Sequence, residues 1–369
     1  MSKASTLLLA VVFIVLATAC TSQPTATSTA TQQPLLPSST LSQKNTLPPT
    51  VTIAPSKTTA STLTVAPINT LPPTVTNAPT NTTAPTATTA PSPAPTPLGG
   101  GSGLIVFGSN RGGSYEDVYL LDLASSKVTR LTQGDSNTFP GPFSPDGKQI
   151  LFTGFGLTHS YVGVMNADGS GAKNLTNEPD VDDAFPTWSP DGSQIVFTSR
   201  RDGNNEIYVM NADGSQPIRL TNNPADDFGP AWSPDGSQIA ILSDRDNATG
   251  IYSIYLMNAD GSGVKRLTND QGNDYGPVWS PDGKKIAFRS VVGAEQSDIF
   301  VVNADGSGLK NLTNDESEDW SPSWSPDGTQ IAFQTDRDGN WEIYVMNADG
   351  SNPVNLTNDP SDDQMPFWK

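Results

Sequence analysis

From residue 104 onward the chain alternates short apolar stretches with polar, turn-forming phrases. Segments such as Gln194-Ile195-Val196-Phe197-Thr198 and Glu206-Ile207-Tyr208-Val209-Met210 are rich in β-branched and aromatic residues, which predicts short β-strands. Ser-Pro-Asp-Gly begins at Ser144, Ser189, Ser233, Ser280 and Ser325, each time after an aromatic residue: Phe143, Trp188, Trp232, Trp279 and Trp324. A sixth aromatic of this series is Trp368, and the successive spacings are 45, 44, 47, 45 and 44 residues. A second phrase, Asn-Ala-Asp-Gly-Ser, starts at Asn166, Asn211, Asn258, Asn303 and Asn347. A third, Leu-Thr, recurs at Leu131, Leu175, Leu220, Leu267, Leu312 and Leu356. Asp-Gly in both longer phrases supplies a tight turn, since Asp bonds its local backbone and Gly accepts positive φ. Each unit therefore reads as a strand, Ser-Pro-Asp-Gly, a second strand, a variable loop, a third strand, Asn-Ala-Asp-Gly-Ser, and a fourth strand ending at Leu-Thr.

A period near 45 residues built of four strands predicts a β-propeller, an all-β ring of four-stranded blades. The region opens at Leu104-Ile105-Val106-Phe107, which aligns with a second strand, and finishes at Pro366-Phe367-Trp368-Lys369, which aligns with a first. Six blades follow, with the last strand completing the first blade and closing the ring. The two turn phrases then share one face. The opposite face carries the loops from second to third strand and the connections from each Leu-Thr to the next unit.

The repeat Trp-Ser-Pro-Asp-Gly, Ile-Ala-Phe, Ile-Tyr-Val-Met-Asn-Ala-Asp-Gly-Ser, Leu-Thr-Asn over residues 104–369 resembles the TolB-type propeller repeat, a relative of the WD repeat. The resemblance implies a six-bladed propeller, in a family whose namesake is a periplasmic partner of a peptidoglycan-associated lipoprotein. This chain differs from the namesake in what precedes the repeats, where no α/β segment is visible.

Residues 1–20 hold Lys3, an apolar run from Leu7 to Leu16 and small residues up to Cys20, the layout of a secretory leader. Leu16-Ala17-Thr18-Ala19-Cys20 resembles the bacterial lipobox, which implies lipidation of Cys20, the only cysteine in the chain. Acyl chains there would anchor the protein to a membrane without a transmembrane span. Residues 21–98 contain 23 Thr and 15 Pro, with Lys44 and Lys57 as the only charges. Such a stretch cannot bury enough apolar surface to offset its chain entropy. Residues 21–103, ending in a Gly-rich joint, are expected to be a disordered stalk whose ends lie on the order of 50 Å apart.

The chain has 20 Lys and Arg against 38 Asp and Glu, and all the acids fall in residues 104–369 beside 17 of the basic residues, a net charge of −21 for that part. This argues against nucleic acid, which requires a basic surface. Ten of the acids are the Asp of the two turn phrases. A smaller group stands where each chain segment enters a first strand: Asp182-Asp183, Asp226-Asp227, Asp274, Glu318-Asp319 and Asp362-Asp363, with Asn137-Thr138 as the exception. Aromatics follow as Phe228, Tyr275 and Trp320, with Phe139 and Phe185 in the other units.

Because first strands line a propeller channel, these residues are expected to gather near its mouth on the loop face. Two roles are open to them. Asp183, Asp227, Phe228, Asp274, Tyr275, Asp319, Trp320 and Asp363 could form a ligand-binding ring for a cationic group or, through oxygen ligands, for calcium. Alternatively, the Asp side chains satisfy backbone N–H groups and the aromatics pack between blades.

One histidine, His159, sits in a variable loop without a repeated partner and is expected to be an ordinary loop residue. No Gly-x-Ser-x-Gly elbow is present, and propeller lyases of similar repeat use several histidines around a metal. The expectation is a noncatalytic, monomeric propeller needing no cofactor, lipid-anchored outside the cytoplasmic membrane, that binds a protein, peptide or cell-envelope component through its loop face. The alternative is a metal-dependent lyase or hydrolase using the acidic mouth. The sequons at Asn174, Asn311 and Asn355 fall in the repeated Asn-Leu-Thr ending, where strand chemistry explains them.

Overall fold

The computed structural model describes residues 103–246, 250–269, 272–292 and 296–369. The leader with Cys20 and the Thr/Pro-rich stalk lie outside the described residues.

Twenty-four described strands form six antiparallel four-stranded sheets, the blades. Their first, innermost strands are Thr138–Phe143, Asp183–Trp188, Asp227–Trp232, Asn273–Trp279, Asp319–Trp324 and Asp363–Trp368. In five blades the four strands follow one another in sequence, and these are blades 2 to 6. Blade 1 takes its first strand from Asp363–Trp368, which pairs antiparallel with Leu104–Ser109; Ile105 faces Trp368 and Ser109 faces Asp363. The ring is thus closed by the last strand, as the repeat phasing predicts. Closure leaves only the outermost strands as edges, and in blades 2 to 6 these are two residues long; Lys173, Lys265 and Lys310 on them discourage pairing with other chains.

Each repeated phrase has a bonding task. In Ser-Pro-Asp-Gly the Ser hydroxyl donates to the Asp two residues on and accepts the N–H of the residue five on, as Ser189 does with Asp191 (2.6 Å) and Gln194 (2.9 Å). In Leu-Thr, the Thr hydroxyl accepts an N–H from near the start of the third strand in all six blades, for example Val118 to Thr132 (2.9 Å) and Ile343 to Thr357 (3.0 Å). The sequon Asn side chains cap the same turn, Asn311 Oδ1 accepting the Thr313 N–H at 3.0 Å.

The Asp-Gly turns also join neighbouring blades. Gly261 (φ 83°) lies so close to the preceding blade that a Cβ would sit 2.4 Å from the Leu220 carbonyl oxygen, and Gly169 has the same relation to Leu131. Only Gly satisfies both the left-handed φ and this approach. Between blades the apolar strand faces merge into continuous seams, such as Ala287, Ile299 and Val301 of blade 5 against Trp324, Ile331 and Phe333 of blade 6.

A chain ending at Asp363 lacks the strand that completes blade 1 and exposes Ile105 and Phe107, both fully buried. Its melting temperature is expected to fall by more than about 10 °C; scanning calorimetry checks this, and an unchanged melting temperature contradicts closure by pairing.

Candidate functional site

The six inner strands surround a central cavity of about 380 Å3. Its wall is largely proline and aromatic: Pro186, Pro230, Pro277, Pro322 and Pro366, together with Phe139, Phe155 and Phe185. Those five prolines occupy one equivalent position, and the residue before each is left-handed: Phe185 (54°), Gly229 (59°), Gly276 (56°), Ser321 (52°) and Met365 (51°). Proline inside a strand marks a bulge, and the pairing to the second strand shifts at this point in all six blades. The bulge turns the inner strand's side chains toward the axis. Blade 2 departs, with Pro140 at the left-handed residue's place and Gly141 at the proline's. The repeated x-Pro in each inner strand was the sequence signal for this feature, and composition alone did not reveal it.

The bulge is anchored across the seam. Thr153 Oγ1 accepts the Phe185 N–H (3.3 Å), Thr198 Oγ1 the Gly229 N–H (3.1 Å) and Gln334 Oε1 the Met365 N–H (2.8 Å). In each case the acceptor is on the second strand of the preceding blade.

The acidic residues expected at the mouth lie inside these seams. Asp183, Asp227, Asp274, Asp319 and Asp363 are all at most 1% exposed. Four of them meet an arginine that follows the second strand: Arg201 with Asp183 (3.3 Å), Arg245 with Asp227 (2.8 Å), Arg337 with Asp319 (3.1 Å), and Arg111 with Asp363. The arginines continue over aromatic rings of their own blades, Arg201 over Tyr208 at 4.6 Å and Arg337 over Tyr344 at 4.9 Å. Asp274 instead accepts from Thr268 of the preceding blade (2.5 Å) and from Ser290 (2.7 Å). Blade 2, with Thr138 in place of Asp, has Phe155-Gly156 where the others place the arginine. The carboxylates therefore serve the seams, and an acidic surface open to solvent is not what they build. Burial raises Asp319 and Asp363 to about 6, with their hydroxyl and arginine partners acting in the opposite direction.

Among the described residues no group of three or more His, Cys, Asp or Glu is arranged to hold a metal ion. His159 lies in the loop expected for it, its Nε2 3.1 Å from the exposed Asp180.

The aromatics do converge. Phe228 packs edge-on against Tyr252 at 4.7 Å, and Tyr252 lies 6.1 Å from Tyr275. Phe185 lies 6.3 Å from Phe228. On the other side Trp320 and Trp341 are 4.9 Å apart and cluster with Phe139, Phe155 and Met365. The gap between Tyr275 and Trp320 is filled by Arg289, whose guanidinium carbon is 4.8 Å from one ring and 3.9 Å from the other. An apolar, aromatic belt thus surrounds the loop-face end of the cavity, with Phe155, Phe185, Tyr275 and Met365 partly exposed. Tyr252, Phe155 and Arg289 belong to this belt and carry no repeat signature that would single them out.

A closed ring of six blades and a mouth lined by side chains that differ from blade to blade define a β-propeller of the repeat-built kind. The chain belongs to the TolB beta propeller domain family, whose profile matches residues 143–254 and 291–369. A 64-residue segment is 42% identical to the Tol-Pal system protein TolB of Anaeromyxobacter dehalogenans strain 2CP-C, covering 17% of this chain and 14% of that relative. The matched segment therefore spans about a seventh of the relative's length. The crystal structure of TolB from Acinetobacter baumannii superposes with a TM-score of 0.63 at 25% identity, over 73% of this chain and 67% of that one. Hydrazine synthase of Kuenenia stuttgartiensis shares the fold, with a TM-score of 0.60 at 18% identity over 72% of this chain and 46% of that one.

Glu116 adds a pH-dependent element. It is buried beside Asp117, Asp362 and Asp363 and its Oε2 has no hydrogen-bond partner. Burial, followed by the neighbouring carboxylates, pushes its pKa up to about 8 from 4.5. The folded state then binds a proton that the unfolded state releases, so Glu116 stabilises below pH 4.5 and this contribution is lost as pH rises toward 8. Glu116→Gln should accordingly raise the melting temperature at pH 8.5 by about 3–5 °C and change it little at pH 4.5. Equal shifts at both pH values would contradict a protonated Glu116.

Proposed function

We propose that this protein is a noncatalytic envelope component that recognises a protein, peptide or cell-wall partner through the loop-face mouth of its propeller. The observation that carries this reading is the aromatic belt around an apolar cavity, built on seams that are otherwise alike from blade to blade. Aromatic side chains around a concave, desolvated centre suit a binding site for an extended or protruding segment. Family membership and the Tol-Pal relative support an envelope setting. The leader, with Cys20 lipidated and residues 21–103 as a spacer, supports an extracytoplasmic position held by acyl chains. Calcium at the mouth is not required by this reading, because the inner-strand carboxylates are already bonded within the seams.

The test is affinity capture from a detergent-solubilised envelope fraction with the full chain. Phe155→Ala and Met365→Ala at the mouth are expected to reduce the yield of captured partners at least about tenfold, a loss of about 1.4 kcal/mol. Asp213→Asn, on the turn face, is expected to leave it unchanged. Loss with the turn-face variant and retention with both mouth variants would overturn the assignment.

A further inference from the structure

Arg289 departs from its counterparts. Its cross-strand partner is Tyr275, and the equivalent second-strand residues in other blades are Thr153, Thr198 and Gln334, which accept the bulge N–H of the next blade. A guanidinium has five donors and no acceptor, so Arg289 cannot perform that task for Ser321. It also takes no part in the aspartate pairing that occupies Arg111, Arg201, Arg245 and Arg337. Asp274, the inner-strand acid of its own blade, accepts from Thr268 and Ser290.

What holds Arg289 is a stack and a single hydrogen bond. The guanidinium lies between Tyr275 and Trp320, and Nε donates to Ser297 Oγ at 2.9 Å. Among the described residues the two terminal nitrogens have no hydrogen-bond acceptor. Glu318 is an acid whose charge acts on it; that carboxylate accepts the Trp320 Nε1–H at 3.1 Å and makes no ion pair with Arg289. Desolvation lowers the guanidinium to about 10, so it remains charged at neutral pH. Arg289 keeps part of its surface open to solvent, and Gly276-Pro277 and Ser321-Pro322, the residues that follow its two flanking rings, line the cavity.

We propose that Arg289 is a carboxylate-binding site at the mouth, its two free terminal nitrogens taking the two oxygens of a ligand carboxylate. This rests on the loop-face binding reading and adds the ligand's chemistry to it. A planar guanidinium matches a carboxylate in bidentate geometry, and the two rings hold its plane in place so that little side-chain entropy is lost on binding. The carboxylate is a peptide C-terminus or an Asp or Glu side chain. Arg111, Arg201, Arg245 and Arg337 are each paired with an inner-strand carboxylate, whereas Arg289 has no ion pair among the described residues.

The experiment follows the Arg289 Nε–H and Trp320 Nε1–H signals of the 15N-labelled full chain during titration. N-acetylglycine stands for a peptide C-terminus, N-acetylaspartate α-amide for an acidic side chain, and N-acetylglycinamide is the neutral control. Saturable shifts are expected with at least one acid, whichever source fits, and none with the control. Arg289→Gln should abolish the Trp320 response, and Arg289→Lys should weaken binding several-fold because the fork is lost while the charge is kept. Equal shifts with the neutral control, no saturable shift with either acid, or an undiminished Trp320 response in both variants would each overturn the proposal. If Arg289→Gln does not fold, the wild-type comparison of acid with amide and the Arg289→Lys titration decide. Failure here leaves the Phe155 and Met365 capture result standing, so the two readings fail separately.

Discussion

The antiparallel pairing of Asp363–Trp368 with Leu104–Ser109 is the constraint on which the rest of the molecule depends. It joins segments more than 250 residues apart in sequence. An open row of blades would leave an inner edge and an outer edge of a large sheet surface exposed, and would have no central cavity. Closed, every blade has two neighbours; five seams set a turn glycine against a leucine carbonyl of the blade before, and three tie a bulged inner strand to that blade through a second-strand side chain. The closing seam keeps the bulge tie, with Gln334 replacing threonine as the acceptor for the Met365 N–H, and has no glycine in the blade 1 turn.

This explains why so much of the fold was legible in the sequence. The phrases around Ser189, Asn211 and Leu220 are turn and seam chemistry, and the same local geometry forces the same residues to recur. The inner-strand acids recur for the same reason. Read alone, Asp183, Asp227 and Asp319 suggest an acidic surface, yet each has an arginine 18 residues downstream that neutralises it. Blade 2 lacks both members, with Thr138 and Phe155-Gly156 in their places, and blade 5 satisfies Asp274 with the hydroxyls of Thr268 and Ser290 instead. The mouth was less legible because its belt is assembled from residues with unrelated positions in their repeats: Tyr252 and Trp341 immediately precede third strands, Phe155 ends a second strand, and Arg289 replaces a seam acceptor. Their convergence is a property of the closed ring and is not periodic in the chain.

The large negative charge takes on a different meaning in this light. Much of it lies in turn aspartates on the face away from the mouth, where hydroxyl and backbone hydrogen bonds hold Asp168, Asp213 and Asp260 below the usual carboxylate range. More is compensated within the seams. The mouth itself is aromatic and proline-lined, with one stacked guanidinium. Repeated seam contacts and a mouth that varies from blade to blade divide the molecule into a part built to a common pattern and a part that differs in every blade.

Hydrogen exchange of the full chain, alone and bound to its captured envelope partner, measures that division most directly. The account predicts added protection in the loops around Phe155–Tyr161 and Arg337–Trp341 and at the inner-strand bulges, with the Ser-Pro-Asp-Gly and Asn-Ala-Asp-Gly-Ser turns unchanged. Protection confined to those turns would contradict it.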